Sequence, residues 1–199
     1  MLIVSTALLW VVVALLTIVV LALARQIGVL HERIAPMGAL VTDNGPKAGD
    51  LAPHVHTRTL DGQPLAIGAG HMGANRTMLM FVAPGCPVCR KVIPIAKAVA
   101  AAEKIDLIFV GDGDDNEQRM MVEKYKLGGY RFANSPEVGL AFHVGKLPYG
   151  VLIRSDGVIA AKGLVSSREH IESLVNADDK GFTSAQAYLR SINNSAAAA

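Results

Sequence analysis

Cys86 and Cys89 are the only two cysteines of the sequence, and they stand three residues apart in Ala83-Pro84-Gly85-Cys86-Pro87-Val88-Cys89-Arg90. Residues i and i+3 on a first helical turn face the same way, with Cα atoms near the roughly 5.5 Å that a disulfide prefers, so this pair can close without moving the backbone. A sulfur at the start of a helix also meets the orphan N–H groups and the positive end of the helix dipole, which favour a thiolate. Cys86 is therefore the expected nucleophile and leaving group, and Cys89, one turn inside, the resolving thiol. Two other readings remain open. A disulfide closing so short a loop removes little unfolded-state entropy, so a purely structural role is weakly motivated. A zinc site needs further ligands, which only His54 and His56, far upstream, could supply, and no metal is expected.

The elements around the pair must present it at a surface. Residues 78–82 (Met-Leu-Met-Phe-Val) form a short continuous apolar run, the pattern of a strand buried on both faces of a sheet. Beyond the cysteines, Val88, Val92, Ile95, Ala96 and Val99 recur at helical spacing as far as Glu103-Lys104. Pro87 falls at the first helical position, where its missing N–H is not needed.

The remaining chain reads as alternating units. A hairpin turns at Asp61-Gly62, and a strand over 105–110 ends at Gly111-Asp112-Gly113. Asp114 or Asp115 caps a helix that runs through Met121 to Tyr125 and closes at Gly128-Gly129. The acidic run Asp112, Asp114, Asp115 lacks the loop length and terminal glutamate of a calcium hand, so capping and solvation are its expected roles. A short strand over 130–133 and a short helix over 136–142 follow. Residues 149–154 and 158–162 then flank Ser155-Asp156-Gly157 as a hairpin, and Ser166 with Glu169 reads as a capping box opening a last helix. The order β-α-β-α-β-α-β-β-α demands a parallel core with an antiparallel hairpin at its edge. His31, His71, His143 and His170 have no ligand spacing, and a helix is expected near 184–192 in the tail.

The first 24 of the 199 residues carry no charge, and only Ser5, Thr6 and Thr17 interrupt their apolar character. At about 1.5 Å per residue they could cross a hydrocarbon core of about 30 Å, and they exceed the apolar core of an ordinary cleavable leader. The expected organisation is a transmembrane anchor (1–24), a juxtamembrane linker (25–46), an α/β domain (47–178) and a tail (179–199). Arg25 and Arg33 follow the span and, by charge alone, would leave the domain in the cytoplasm. Disulfide chemistry argues for the opposite side, the periplasm, because disulfides persist there. The net charge of +2, without a basic stripe, offers nothing to nucleic acid.

Three features resemble landmarks of the thioredoxin superfamily: Cys86-Pro87-Val88-Cys89 after a buried strand, Pro94 eight residues beyond Cys86, and Leu147-Pro148 before the terminal hairpin. Gly49-Asp50-Leu51-Ala52-Pro53 and Leu60-Asp61-Gly62 resemble the leading segment of the membrane-anchored TlpA/ResA-like branch. With its uncharged N-terminal span and Ala-Pro-Gly-Cys-Pro-Val-Cys core, the chain as a whole resembles the MauD family of methylamine utilization proteins.

This resemblance implies a thioredoxin-like fold, a central mixed β-sheet flanked by helices, preceded by one transmembrane helix that contacts membrane lipid. It implies a thiol–disulfide oxidoreductase or isomerase with Cys86 and Cys89 as catalytic residues and no cofactor beyond their redox-active disulfide. Pro87 and Val88 would shape the active-site loop, and Leu147 with a cis Pro148 would form the substrate groove. The implied client is a disulfide-containing protein, the small (beta) subunit of methylamine dehydrogenase. A cytochrome c biogenesis-type reductant, or a copper or zinc carrier on the same scaffold, would share these features. Two departures stand out. The superfamily's buried carboxylate, six residues before the first cysteine, is Met80 here, and the aromatic before that cysteine is Gly85. Glu103, Lys91 or water is then left to take the resolving thiol's proton.

Overall fold

The computed structural model describes residues 4–6, 8–10, 12–20, 45–70 and 73–179, and the chain divides into two compact units, Met1–Thr42 and Asp43–Ala199. In the first unit, residues 4–6, 8–10 and 12–20 are helical, and Leu8, Trp10, Leu16 and Ile18 are exposed. Among the described residues no helix is long and apolar enough to cross a membrane. The expected span of 1–24 lies partly outside the described residues, as do the linker from 25 to 44, His31, His71 and the helix expected near 184–192.

The second unit opens with an antiparallel hairpin, β1 (Val55–Arg58) and β2 (Pro64–Ile67), whose turn has Gly62 at φ +84°. The order continues β3 (Thr77–Phe81), α1 (Pro87–Ala102), β4 (Asp106–Gly111), α2 (Asp115–Lys124), β5 (Arg131–Asn134), α3 (Pro136–Ala141), β6 (Tyr149–Ile153), β7 (Ile159–Leu164) and α4 (Arg168–Asp179). Five strands form one sheet in the order β5-β4-β3-β6-β7, in which β3, β4 and β5 are parallel and β6 and β7 antiparallel.

The apolar run before the cysteines is the central strand of this sheet, and all five residues of β3 are buried. Alternation sends its side chains into two separate cores. Met78, Met80 and Val82 join Cys89, Val92, Ile93, Ala96 and Leu174 on the face covered by α1 and α4. Leu79 and Phe81 join Leu65, Ile67, Val138 and Phe142 on the face covered by the β1–β2 hairpin and α3. Met121 and Leu127 place α2 with the first group.

Several local expectations shift. α2 reaches its C-cap at Tyr125 as expected, but the left-handed residue that closes it is Lys126 at φ +53° and not Gly128-Gly129; Leu127 must turn back into the core directly after the helix. The last helix is capped by Ser167, whose Oγ accepts from the His170 N–H at 3.4 Å, while Ser166 Oγ meets His170 Nδ1 at 3.0 Å. Gly45, placed in the linker by sequence, is already buried against Phe142 and His143.

Candidate functional site

Because β3, β4 and β5 run parallel, their carboxyl ends share one edge of the sheet, and the antiparallel β6 brings its amino end to the same edge. Phe81 pairs with Val110 on one side and with Tyr149 on the other. Three stretches distant in sequence thus meet there: the turn from Ala83 to Cys86, the loop Gly111–Gly113, and Leu147-Pro148. Such an edge is where open α/β sheets hold their sites.

Cys86 is the N-cap of α1, with φ −84° and ψ 112°, and Pro87 takes the first helical position. The chain reaches this cap through a tight turn in which the Cys86 N–H donates to the Ala83 carbonyl at 3.2 Å. Cys86 Sγ accepts from the Cys89 backbone N–H at 3.1 Å, one of the orphan donors of the first turn. The first turn carries no acidic residue to oppose the dipole. The two cysteines are joined by a disulfide with Cα atoms 5.3 Å apart, and they differ in access: Cys89 is 1% exposed, whereas Cys86 is half-buried at the rim. A sulfur that is reachable, bonded to a backbone donor and placed at a helix N-terminus is the one an external thiolate can attack and the one best able to carry charge afterwards.

Pro87 is exposed and Val88 half-buried against the α1-side core, so the two intervening residues form the lip of the disulfide. Gly85 leaves that lip open. A Cβ there would meet nothing within 4 Å, so no packing demand explains the missing aromatic. Opposite the lip, the Leu147–Pro148 peptide is cis. Pro148 is buried, and its carbonyl accepts from the Val165 N–H at 3.1 Å. Leu147 is the member of the pair that faces solvent, 42% exposed, and Leu164, paired with Tyr149, is 38% exposed.

Met80 is fully buried in the position of the missing carboxylate. Neither of the substitutes expected from sequence can replace it. Glu103 is the C-cap of α1, at the opposite end from Cys86, and is engaged with Arg76 at 3.8 Å. Lys91 is exposed, two residues beyond the buried Cys89 and so about 200° around the helix from it. The carrier reading would draw on His54 or His56. The His54 and His56 rings contact each other at 4.5 Å between centroids; His56 lies on β1 and His54 directly precedes it, and the β1–β2 hairpin covers the sheet face opposite to α1. No group of three or more potential metal-ligating side chains occurs among the described residues. Asp112 is exposed, Asp114 caps α2 by accepting from the Asn116 and Glu117 N–H groups, and Asp115 bonds Asn134.

Two features were not visible in the sequence. An open cleft of about 820 Å³ between the hairpin and the end of β5 is lined by Arg58, Thr59, Asp115, Asn134 and Glu137, with no cysteine in its wall. Ser135 Oγ donates to Glu137 there at 2.7 Å and holds its carboxyl below the usual range. The second is Gln118, which is fully buried, its carboxamide without a hydrogen-bond partner. In the run Asp-Asn-Glu-Gln-Arg it reads as one more solvated helix residue.

No family model matches the chain. It is 47% identical over 196 residues to the methylamine utilization protein MauD of Paracoccus denitrificans, covering 98% of both chains. It is 46% identical to MauD of Methylorubrum extorquens (98% and 95% covered) and 42% identical to that of Methylophilus methylotrophus (96% and 91%). Among solved structures it is similar to a secreted Mycobacterium tuberculosis disulfide oxidoreductase homologous to E. coli DsbE, with TM-score 0.53, 23% identity, and 62% and 95% of the two chains covered. It is also similar to the thioredoxin domain of a thiol-disulfide oxidoreductase from Bacteroides vulgatus, with TM-score 0.56, 19% identity, and 67% and 96% covered. These structural likenesses establish the thioredoxin-like fold.

Proposed function

The chain belongs to the MauD family of methylamine utilization proteins, and on that premise we propose that it is a thiol–disulfide oxidoreductase that sets disulfides in a client protein. The observation that carries this reading is the Cys86–Cys89 disulfide at the N-terminus of α1, with the attackable Cys86 sulfur bonded to the Cys89 N–H. A client thiolate attacks Cys86 Sγ; the bond to Cys89 breaks and the client–Cys86 bond forms, with the Cys89 sulfur leaving as a thiolate. A second client thiolate then displaces Cys86, leaving the client oxidised and the protein as a dithiol. Run backwards, the same steps reduce or isomerise a client disulfide.

The client in this reading is the small subunit of methylamine dehydrogenase, a disulfide-rich chain consistent with the methylamine utilization family. The exposed Leu147 and Leu164, at the sheet edge to which β3 delivers the cysteines, offer an apolar rim to an extended client chain rather than an enclosed pocket for a small molecule. In this reading the catalytic domain lies in the periplasm and residues 1–24 hold it to the inner membrane. The exposed apolar side chains of the N-terminal helical residues and the persistence of disulfides outside the cytoplasm support this placement.

The test is covalent trapping during growth on methylamine. In Cys89→Ser the Cys86 thiolate can still attack a client disulfide, the reverse of the step above, but no second sulfur is present to release the client, so an adduct containing the dehydrogenase small subunit is the expected product. An adduct with an apocytochrome would replace this client, and the absence of any adduct dependent on Cys86 would overturn the exchange reading itself. A reporter enzyme that requires oxidising conditions, fused after Ala199, is expected to be active; silence there would place the domain in the cytoplasm.

A further inference from the structure

The fully buried Gln118 leaves both Nε2 and Oε1 unpartnered. Burying an amide without a partner costs about 1–3 kcal/mol, so the position calls for a physical reason. The carboxamide lies against Gly111, where an added Cβ would come within 2.7 Å of Oε1 and 2.8 Å of Nε2, so the glycine makes room for it.

Sheet register locates this amide. In β4, Leu107 and Phe109 point to the α1-side core while Ile108 and Val110 point to the other, so the side-chain direction at Gly111 is toward α1. Phe81 pairs with Val110, which sets Gly111 beside Val82, about 4.8 Å away across the strands. Val82 and Cys89 belong to one buried cluster, roofed by the first turns of α1. The unpartnered amide therefore lies on the face of the sheet that carries Cys89, one strand over from Val82 and at the edge from which the cysteines leave, where Met80 supplies no polar group.

We propose that the Gln118 carboxamide is the hydrogen-bond partner that the Cys89 sulfur meets when the disulfide opens. The inference rests on the thiol–disulfide reading above. In the oxidised chain, Cys89 Sγ is bonded to Cys86 Sγ and carries no charge for Gln118 to stabilise. When an external thiolate attacks Cys86, the electron pair of the breaking bond goes to Cys89 Sγ, and the Gln118 Nε2–H donates to that thiolate. The proton lost by the attacking thiol passes to solvent, and Cys89 takes one up again when the dithiol is complete. An amide that is unsatisfied in the disulfide form and satisfied in the open form favours the open form, the reverse of an ordinary structural glutamine.

The experiment uses the full-length protein equilibrated with glutathione buffers of varied ratio. Gln118→Leu is expected to shift the equilibrium a few-fold toward the disulfide, since the Cys89 thiol of the finished dithiol loses one neutral hydrogen-bond partner. In a Cys86→Ser background the same change is expected to raise the titration midpoint of Cys89, read by thiolate absorbance. Gly111→Ala, which drives the amide from its place, should act in the same direction. Should Gln118→Leu fail to fold, the unbranched Gln118→Met supplies the same readout. A folded variant with an unchanged glutathione equilibrium and an unchanged Cys89 titration would overturn the inference. Failure of the wild-type protein to exchange with glutathione at all would instead overturn the exchange reading on which it stands.

Discussion

Cys86 and Glu103 cap opposite ends of one helix. The sixteen residues of α1 between them, at 1.5 Å each, hold the two side chains about 24 Å apart. Pro94 lies on the exposed side of this helix and removes one backbone donor, yet the helix runs on to Ala102. Glu103 therefore has no part in moving the resolving thiol's proton. Glu103→Gln is expected to leave the rate of exchange with a dithiol substrate and its pH profile unchanged. It should lower stability by no more than about 1 kcal/mol in urea unfolding, because the lost pair with Arg76 is 3.8 Å long and half-exposed.

Three glycines are expected to separate cleanly in the same unfolding assay. At Gly157 the backbone sits at φ +84°, and an added Cβ would stand 2.6 Å from the Ala69 Cα, an obstacle that cannot rotate away. Gly157→Ala should cost about 2 kcal/mol or more. At Gly150 the obstacle is the Leu174 Cδ1 at 2.7 Å, the end of a flexible side chain, so Gly150→Ala should cost about 1–2 kcal/mol as Leu174 turns aside. Gly85→Ala meets nothing and should be within about 0.5 kcal/mol of wild type.

These contrasts mark what a sequence can and cannot carry. The strand, cysteine pair and helix were legible because burial of β3 and capping of α1 are local: a five-residue apolar run halted by Pro84-Gly85 fits a central strand, and Pro87 after Cys86 fits the first position of a helix. The hairpin at Ser155-Asp156-Gly157 was legible for the same reason. The roles of Ser166 and Ser167 were not, because either hydroxyl can reach a backbone N–H three residues on and only the path out of β7 decides between them. Lys126 in place of Gly128 as the left-handed residue follows from the need to bury Leu127, a tertiary demand. Glu103 lay beyond reach of the site because chain proximity to Cys89 says nothing of distance along a helix axis, and Gln118 was hidden because its burial depends on Gly111 of a neighbouring strand.

Asp178 closes the last helix onto the sheet and provides a third stability test. Its carboxylate, 11% exposed, accepts from Arg154 Nε at 2.7 Å and stands 3.6 Å from Arg76, and this hydrogen bond holds the Arg154 guanidinium above its ordinary range. Asp178→Asn removes the charge at nearly constant shape and leaves two guanidinium groups facing each other. A loss of about 1–2 kcal/mol is expected, moderated because Arg154 remains 42% exposed. Its size should fall at high salt in wild type and variant compared side by side, since screening weakens the native pair.

Leu147 tests whether the client is held by the rim rather than by the sulfur alone. It stands 42% exposed immediately before β6, on the edge where β3 delivers the cysteines, and the Pro148 carbonyl beside it is already committed to Val165. Its side chain contributes little to the core, so Leu147→Glu is expected to leave the unfolding midpoint near that of wild type. Exchange with glutathione, which needs only access to Cys86, should likewise be nearly unchanged. Exchange with the client protein should fall at least about tenfold, because covering a leucine side chain contributes about 1.5–3 kcal/mol and a carboxylate in its place must be desolvated. The two rates measured on one preparation separate the contributions: equal losses for glutathione and client would mean that Leu147 acts on the disulfide itself, and no loss for either would remove it from the client-binding surface.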